Sequence, residues 1–312
     1  MSRVTVTGGA GFIGSHLVRE LLAKGYDVCV LDDFSTGRLS NLHSDLEHIQ
    51  LVEGSILDES SLARALEGSE LVFHQAAQVS VPYSLKNPQH TMEVNGEGTY
   101  RVLEAAIQAG CRRVLYAGSS SCYGDVGNLI QTESDEIAPV SPYGISKYQG
   151  EQHCQLAASS GGVETVILRY FNVFGPRQDP ASPYSAVIPK FISLMMSGKQ
   201  PTIFGDGLQS RDFTFVQNVV DANLLAAEAP GVSGHSINIA NGRSISLLEL
   251  VQLLSQYLQR DVIPAFAEPR QGDILHSCAN IAKAIDLLGY TPRVGIEAGL
   301  ELTVTAFLEG TE

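Results

Sequence analysis

The stretch "RVTVTGGAGFIG", residues 3–14, decides the fold. Five residues of strand pattern run into three glycines, Gly8, Gly11 and Gly14, in G-x-x-G-x-x-G spacing. The apolar periodicity then changes to that of a helix, "FIGSHLVRELLAKG", closed by Gly25. Glycines between a strand and a helix permit a tight turn and a close backbone approach to a ligand. The helix N-terminus that follows offers unbonded amides and partial positive charge to a pyrophosphate. A plain strand–helix turn would use one such glycine; three at this spacing point to a dinucleotide. Asp32 ends the next strand pattern, "DVCVLDD", eighteen residues past Gly14. A carboxylate there can accept the two ribose hydroxyls of an adenosine and repels a 2′-phosphate, which favours NAD over NADP. Asp33 reads as a solvated turn residue.

Outward from this turn, "HIQLVEG", "ELVFHQAA" and "RRVLYAGSS" are further short apolar strands, with helical patterns at 59–67 and 92–109 between them. Strands alternating with helices predict an α/β fold, a Rossmann-type doubly wound parallel sheet. After "ETVILRYFNV" the pattern changes. Pro and Gly gather at "GPRQDPASPY", "HSINIA" gives another strand, and "SLLELVQLLSQYL" and "NIAKAIDLLGY" give helices. The expected division is a dinucleotide-binding domain of residues 1–172 plus roughly 212–242. A smaller, interleaved C-terminal substrate domain takes roughly 173–211 and 243–312.

With 312 residues the chain can bury a sizeable core. Its net charge of −14 repels phosphate backbones and anionic lipids, which argues against nucleic acid and membrane partners. The five cysteines form no C-x-x-C pair, so neither a zinc site nor a redox motif is indicated, and reduced thiols fit a cytoplasmic location. The first residues show no signal-peptide pattern, and the sequence has no apolar run long enough to span a bilayer.

Tyr143 and Lys147, in "SPYGISK", lie four residues apart on a helix that begins at Ser141-Pro142, so they share a face. Upstream, "GSSSCYGD" follows a predicted strand. Its serines therefore sit where open α/β sheets bind ligands, beyond the carboxyl ends of the strands. A free phenol titrates at about 10. A nearby ammonium would favour the phenolate and make Tyr143 a usable base. A Tyr-x-x-x-Lys on its own is as readily a solvated helix face.

Taken together, "TGGAGFIG", "HQAA", "SSSCYGD", "SPYGISK", "LRYFNVFGPRQ", "GDGLQSRDFTFV" and "RQGDILHS" resemble the extended short-chain dehydrogenase/reductase family over essentially the whole chain. Within it the chain is most similar to the NAD-dependent UDP-sugar 4-epimerases, the UDP-glucose and UDP-N-acetylglucosamine branch. The resemblance implies a catalytic set of Ser119, Tyr143 and Lys147. Tyr143 would be the acid/base, Lys147 would bind the nicotinamide ribose and lower the tyrosine's pKa, and Ser119 would hydrogen-bond the sugar O4. It implies a cofactor site of Gly8, Gly11, Phe12, Ile13, Gly14, Asp32, Ser55, Ile56, Gln75, Ala76, Ala77, Asn95 and Tyr170, with Tyr143 and Lys147. It implies substrate contacts at Val81, Ser119, Ser120, Ser121, Asn172, Ala186, Val187, Arg211, Arg270, Asp273 and Ser277. Arg211 and Arg270 would clamp the diphosphate, and "YSAVIPKF" would line the uridine site. It implies no metal, and a homodimer built on the tyrosine helix and the helix near 92–109.

Structural readings stand beside these roles. Ser120 and Ser121 could satisfy backbone near a strand end, Asn172 could cap a turn, and His74 reads as a packed residue. Arg211 could pair with Asp206 or Asp212 on a surface, and Arg270 with Asp273. Where many relatives carry Asp-Ile after "EG", this chain has Ser55-Ile56, with Asp58 as a possible replacement for the missing carboxylate. The family's dehydratases need an Asp-Glu pair just after the catalytic hydroxyl residue, and its decarboxylases tend to keep the Glu. Here both positions are serine, which favours epimerisation. The resemblance also makes Ser277, four positions after Asp273, a wall of the sugar pocket near the 2-substituent, where a serine would leave room for an N-acetyl group and a tyrosine would not. Another nucleotide-sugar enzyme of the decarboxylase or dehydratase type, and a non-catalytic NAD-binding regulator, are the alternatives.

Overall fold

A computed structural model describes residues 2–124, 129–180, 186–269 and 275–310. The first half runs β1 (Arg3–Thr7), α1 (Phe12–Ala23), β2 (Asp27–Asp32), β3 (Ile49–Glu53), α2 (Glu59–Leu66), β4 (Leu71–His74), α3 (Val81–Lys86), α4 (Pro88–Met92), α5 (Gly98–Gln108), β5 (Arg113–Ser119), α6 (Pro142–Ser159) and β6 (Glu164–Tyr170). The second half runs β7 (Val173–Phe174), α7 (Val187–Met196), β8 (Thr202–Phe204), β9 (Ser210–Asp212), β10 (Thr214–Phe215), α8 (Val216–Glu228), β11 (Ser236–Ile239), β12 (Ser244–Ser246), α9 (Leu247–Tyr257), β13 (Ala265–Ala267), β14 (His276–Ser277), α10 (Ala282–Leu288) and α11 (Ile296–Glu309).

Seven strands form one sheet in the order β11-β6-β5-β4-β1-β2-β3, every pair parallel. The side-chain period of two sorts each strand between two layers. Val4, Val6, Val28 and Val30 face a layer with Leu17, Leu21 of α1 and Val219, Val220 of α8. Cys29 and Leu31 face the opposite layer, with Leu62 of α2, Val102 of α5 and Cys154 of α6. Burial on both faces explains why the strands read as continuous apolar runs. The chain winds outward one way from β1 through β2 to β3, and the other way from β4 through β6, so a crevice opens at the carboxyl ends of β1 and β4.

The long helical stretch expected over 92–109 is broken. A π turn at Glu93–Glu97 joins α4 to α5 and carries Asn95; such turns recur at functional sites. A third core gathers Phe174, Phe213 and Phe215 with Ile188 and Phe191 of α7, Leu250 and Leu254 of α9, and Leu300 and Val304 of α11. Beside it, β9 pairs antiparallel with β12 and parallel with β14. Among the described residues no helix is long and apolar enough to cross a membrane.

Candidate active site

The glycine turn is shaped by what it excludes. Gly8 has φ +67°, and a Cβ there would lie 2.6 Å from the Ala76 amide nitrogen. A Cβ on Gly14 would strike the carbonyl oxygen of Gly8. The first helical bond of α1 runs from the Ser15 amide to Gly11 O at 3.0 Å, and no side chain caps the helix. The amides of Phe12, Ile13 and Gly14 therefore precede the intrahelical ladder, where an anion can receive them. This cradle fits a dinucleotide pyrophosphate.

Asp32 lies buried beside it at the end of β2. Its carboxylate accepts the Ala10 amide at 2.8 Å and the Phe34 amide at 2.9 Å. Burial pushes its pKa up and the two amides pull it back. An ionised carboxylate has about four acceptor positions, so two remain for ribose hydroxyls. Asp33 is exposed and accepts the amide and hydroxyl of Ser35, as a solvated turn residue does. Ser55 Oγ accepts the Leu57 amide at 3.1 Å, and Ile56 is buried against Gly98. Asp58 caps α2, accepting the Ser61 amide and both the Ser60 and Ser61 hydroxyls, which hold its pKa down at about 2. All three bonds fall on Oδ2, so the cap uses one oxygen of the Asp58 carboxylate.

A buried relay ties this turn to the next loop. Thr7 Oγ1 lies 2.7 Å from His74 Nδ1, and His74 Nε2 lies 3.0 Å from Thr99 Oγ1. Thr99 gives its own proton to Asn95 O at 2.6 Å. It must therefore accept from His74 Nε2–H, which leaves Nδ1 to accept from Thr7. Burial, and secondarily the charge of Lys147, lower the His74 pKa to about 3. His74 is thus a neutral packed spacer. Asn95 exchanges two bonds with the backbone of Gln78 and donates to Ser146 Oγ at 2.9 Å, so the loop after β4 is fastened to α6. Ala76 and Ala77 lie on this loop, and the Ala76 amide donates to Thr7 Oγ1 at 3.3 Å. Gln75 turns toward β6, donating to the Tyr170 hydroxyl at 3.2 Å and to Asn223 Oδ1 at 3.3 Å; burial pushes the Tyr170 pKa up to about 12.

The Tyr143 end of α6 is well anchored. Ser141 caps the helix, accepting the Gly144 amide at 3.1 Å, and Pro142 fills the first position. The Tyr143 amide donates to Ser84 Oγ of α3 at 3.2 Å; Val81 begins that same helix and is exposed. The Tyr143 phenol is pushed up by burial, and the neighbouring Ser119 hydroxyl pulls it down. Ser119 Oγ also accepts the amide of Ser121 at 3.2 Å and its hydroxyl at 2.9 Å. Lys147 is buried, with Nζ 4.4 Å from the Tyr116 ring centroid. Its burial lowers the pKa from 10.5 to about 7. The sheet register places Ser119 opposite Tyr170, so the hydroxyl end of β5 meets the cofactor side of β6.

On the C-terminal side, Arg211 lies directly across from Ser277 on β14, and its Nη1 donates to Ser210 O and Leu275 O. Ser277 is buried. Asp206 accepts the Leu208 amide. Asp212 is no surface partner for an arginine. It is fully buried and accepts the amides of Asn241, Gly242 and Ala279 at 2.9–3.2 Å, with its pKa pushed up to about 6 by burial. Asn172 has φ +34° and donates to Asp212 O at 3.1 Å, joining the exit of β6 to β9. Ala186 and Val187 start α7. Arg270 and Asp273 lie outside the described residues.

The sequence reading missed Ser84, Tyr116, Thr7, Thr99 and Asn223. Asn223 left one signal: a polar residue on the face of α8 that buries Val219, Val220, Ala226 and Ala227. The contacts of Thr7 with His74, of Ser84 with Tyr143 and of Tyr116 with Lys147 join residues distant in sequence.

The chain is similar to known proteins over most of its length. Residues 4–240 match the NAD-dependent epimerase/dehydratase family. The UDP-glucose 4-epimerase of Mycolicibacterium smegmatis is 37% identical over 309 residues, 98% of each chain. The UDP-glucose 4-epimerase of Thermotoga maritima, solved with UDP-glucose, superposes with TM-score 0.94 at 38% identity, covering 99% of this chain and 100% of that one. The UDP-N-acetylglucosamine 4-epimerase of Methanobrevibacter ruminantium, in complex with UDP-N-acetylmuramic acid, gives TM-score 0.94 at 37% identity over 99% of each chain. Two further relatives mark the family's breadth. The Thermus thermophilus UDP-glucose 4-epimerase is solved with NAD (33% identity, TM-score 0.89, 98% and 99% covered). The UDP-N-acetyl-α-D-glucosaminuronate decarboxylase of Bacillus cytotoxicus is 32% identical over 98% of each chain. The chain belongs to the NAD-dependent epimerase/dehydratase family, with a Rossmann-type fold, and its cofactor is NAD.

Proposed function

We propose that the protein is a UDP-hexose 4-epimerase that acts on UDP-glucose and UDP-galactose and also on their N-acetylated counterparts. The observation that carries the reading is that Tyr143 and Lys147 lie one turn apart on the buried face of α6, with the Ser119 side chain beside the phenol. No carboxylate stands at Ser120 or Ser121 to drive an elimination. Bound NAD would take hydride from C4 of the sugar and return it to the opposite face.

The chain's own residues do the rest. The Phe12–Gly14 amides and Asp32 hold the two ends of the cofactor's adenosine diphosphate. Tyr143, as phenolate, takes the proton of the 4-hydroxyl and later gives it back, so it serves as base and then as acid. Ser119 donates its one proton to the sugar O4 beside the phenolate. Lys147, as ammonium, binds the nicotinamide ribose and favours that phenolate. Arg211, with Arg270, neutralises the diphosphate, which leaves the sugar free to turn between the two hydride transfers. Ser277, beside Arg211, bounds the pocket at the sugar 2-substituent with a side chain small enough for an N-acetyl group. Two copies would join through the exposed faces of α5 and α6, which carry Tyr100, Ile107, Ile145 and Leu156, and the enzyme would work in the cytoplasm.

The test is to incubate the protein with NAD and, separately, UDP-galactose and UDP-N-acetylgalactosamine, and to separate the products by chromatography with mass detection. Isomers of unchanged mass from both are expected. An isomer from UDP-galactose alone would discard the role given to Ser277. A product lighter by water or carbon dioxide from another nucleotide sugar would move the protein to the dehydratase or decarboxylase branch.

A further inference from the structure

A buried ion pair lies behind the reacting residues. Arg169 of β6 grips Glu151 of α6 with two donors, Nε to Oε2 at 3.0 Å and Nη2 to Oε1 at 2.5 Å. Both side chains are at most 4% exposed. The third arm of the guanidinium, Nη1, donates to the Tyr123 hydroxyl at 2.7 Å. Arginine only donates, so the tyrosine proton is directed onward to Asn238 Oδ1, 2.6 Å away. Ser236 completes Glu151 with a bond of 2.7 Å.

The two partners of Arg169 belong to the two halves of the site. Glu151 is four residues past Lys147 and eight past Tyr143, on the same face of α6. Tyr123 closes the turn that carries Ser119, Ser120 and Ser121, its amide bonding Ser120 O at 3.1 Å and its ring fully buried. In the sheet, Arg169 sits between Gly118, the residue before Ser119, and Asn238. A buried ion pair is weak evidence of stabilisation, because apolar residues of similar volume do as well. A planar fork fixes the orientation of two partners at once, which an apolar contact does not.

We propose that Arg169 is a positioning residue: by holding Glu151 on the catalytic helix and Tyr123 on the serine turn, it sets how Ser119 faces Tyr143. The inference rests on the roles proposed above for Ser119 and Tyr143. Tyr123→Phe keeps the ring and removes the bonds to Arg169 and Asn238; Arg169→Lys keeps the charge and loses the fork.

With UDP-galactose as substrate, Tyr123→Phe should lower kcat about tenfold while KM and NAD occupancy hold. Combined with Ser119→Ala, Tyr123→Phe should cost no more than about twofold further, because it acts through Ser119. A full tenfold loss on that background, or a single variant within about twofold of wild type, overturns the proposal. A second readout does not need turnover. Crystal structures of Tyr123→Phe and Arg169→Lys should show the Ser119 side chain displaced from Tyr143 relative to wild type, and an unchanged placement in both sinks the inference. Wild-type protein that isomerises no UDP-sugar counts against the proposed function, and the structures then still decide on Arg169.

Discussion

Tyr143 and Lys147 share a helix face, and their environments push them in opposite senses. Burial raises the phenol and lowers the ammonium, so each charged form is disfavoured until ligand charge or Ser119 compensates. Removing the phenol hydroxyl should therefore be severe for chemistry and mild for the fold. Tyr143→Phe is expected to lose about 10²–10⁴ in kcat and still co-purify with NAD, as turnover assays and cofactor absorbance will read. Lys147 also carries a stability signature. Its pKa falls from 10.5 to about 7 on folding, so the unfolded chain holds the extra proton between those values and stability rises with pH across that window. Below pH 7 the whole cost of the buried ammonium is present. In protein stripped of NAD, Lys147→Met should raise Tm at pH 6.5 by roughly a few degrees, a gain that closes as pH approaches 10. Calorimetry across that range checks it; a gain that grows with pH would contradict the assignment.

At the scale of elements, α6 is the part on which the site depends. It presents Tyr143 and Lys147, and its beginning is fixed by Ser141, Pro142 and the bond from Tyr143 N to Ser84. Ser141→Ala deletes a buried cap and should cost about 1 kcal/mol in denaturant unfolding. Because the cap lies two residues from Tyr143, kcat should fall as well. Loss of stability with unchanged kcat would mean that the Ser84 and Asn95–Ser146 bonds suffice to place the tyrosine. The π turn at Glu93–Glu97 is the other critical element. It aims Asn95 at both the Gln78 backbone and α6, a double duty that helical periodicity over 92–109 did not reveal.

At the scale of the whole molecule, the parallel sheet opens a crevice at its switch point, and the third core packs beside the strands that bear Arg211 and Ser277. The exposed apolar residues of α5 and α6 are the ground for the proposed dimer: Leu156 is 66% exposed, and Tyr100 and Ile107 lie on the neighbouring helix. Leu156→Glu should shift the protein from dimer to monomer in light scattering. A wild-type monomer at micromolar concentration would refute that interface.

The sequence by itself determined the local parts. The glycine spacing with its strand and helix, Asp32 at the end of β2, and Tyr143 four residues before Lys147 are short-range patterns, legible because turn sterics and helical repeat act within a few residues. It also marked Ser120 and Ser121 as positions without a carboxylate. Only the tertiary structure decided what long separations bring together. Asp58 was legible as a spare carboxylate, and its position at the start of α2 makes it a cap. Asp212 was legible as a possible surface partner of Arg211, and the packing of β9 against the 240–242 and 278–279 segments buries it among amides. The Thr7–His74–Thr99 relay, the seat of Lys147 over Tyr116, and the Arg169 fork join residues 18 to 67 positions apart. Such contacts depend on strand order and register, which arise when the whole apolar sheet is buried at once and not from any one segment's preference.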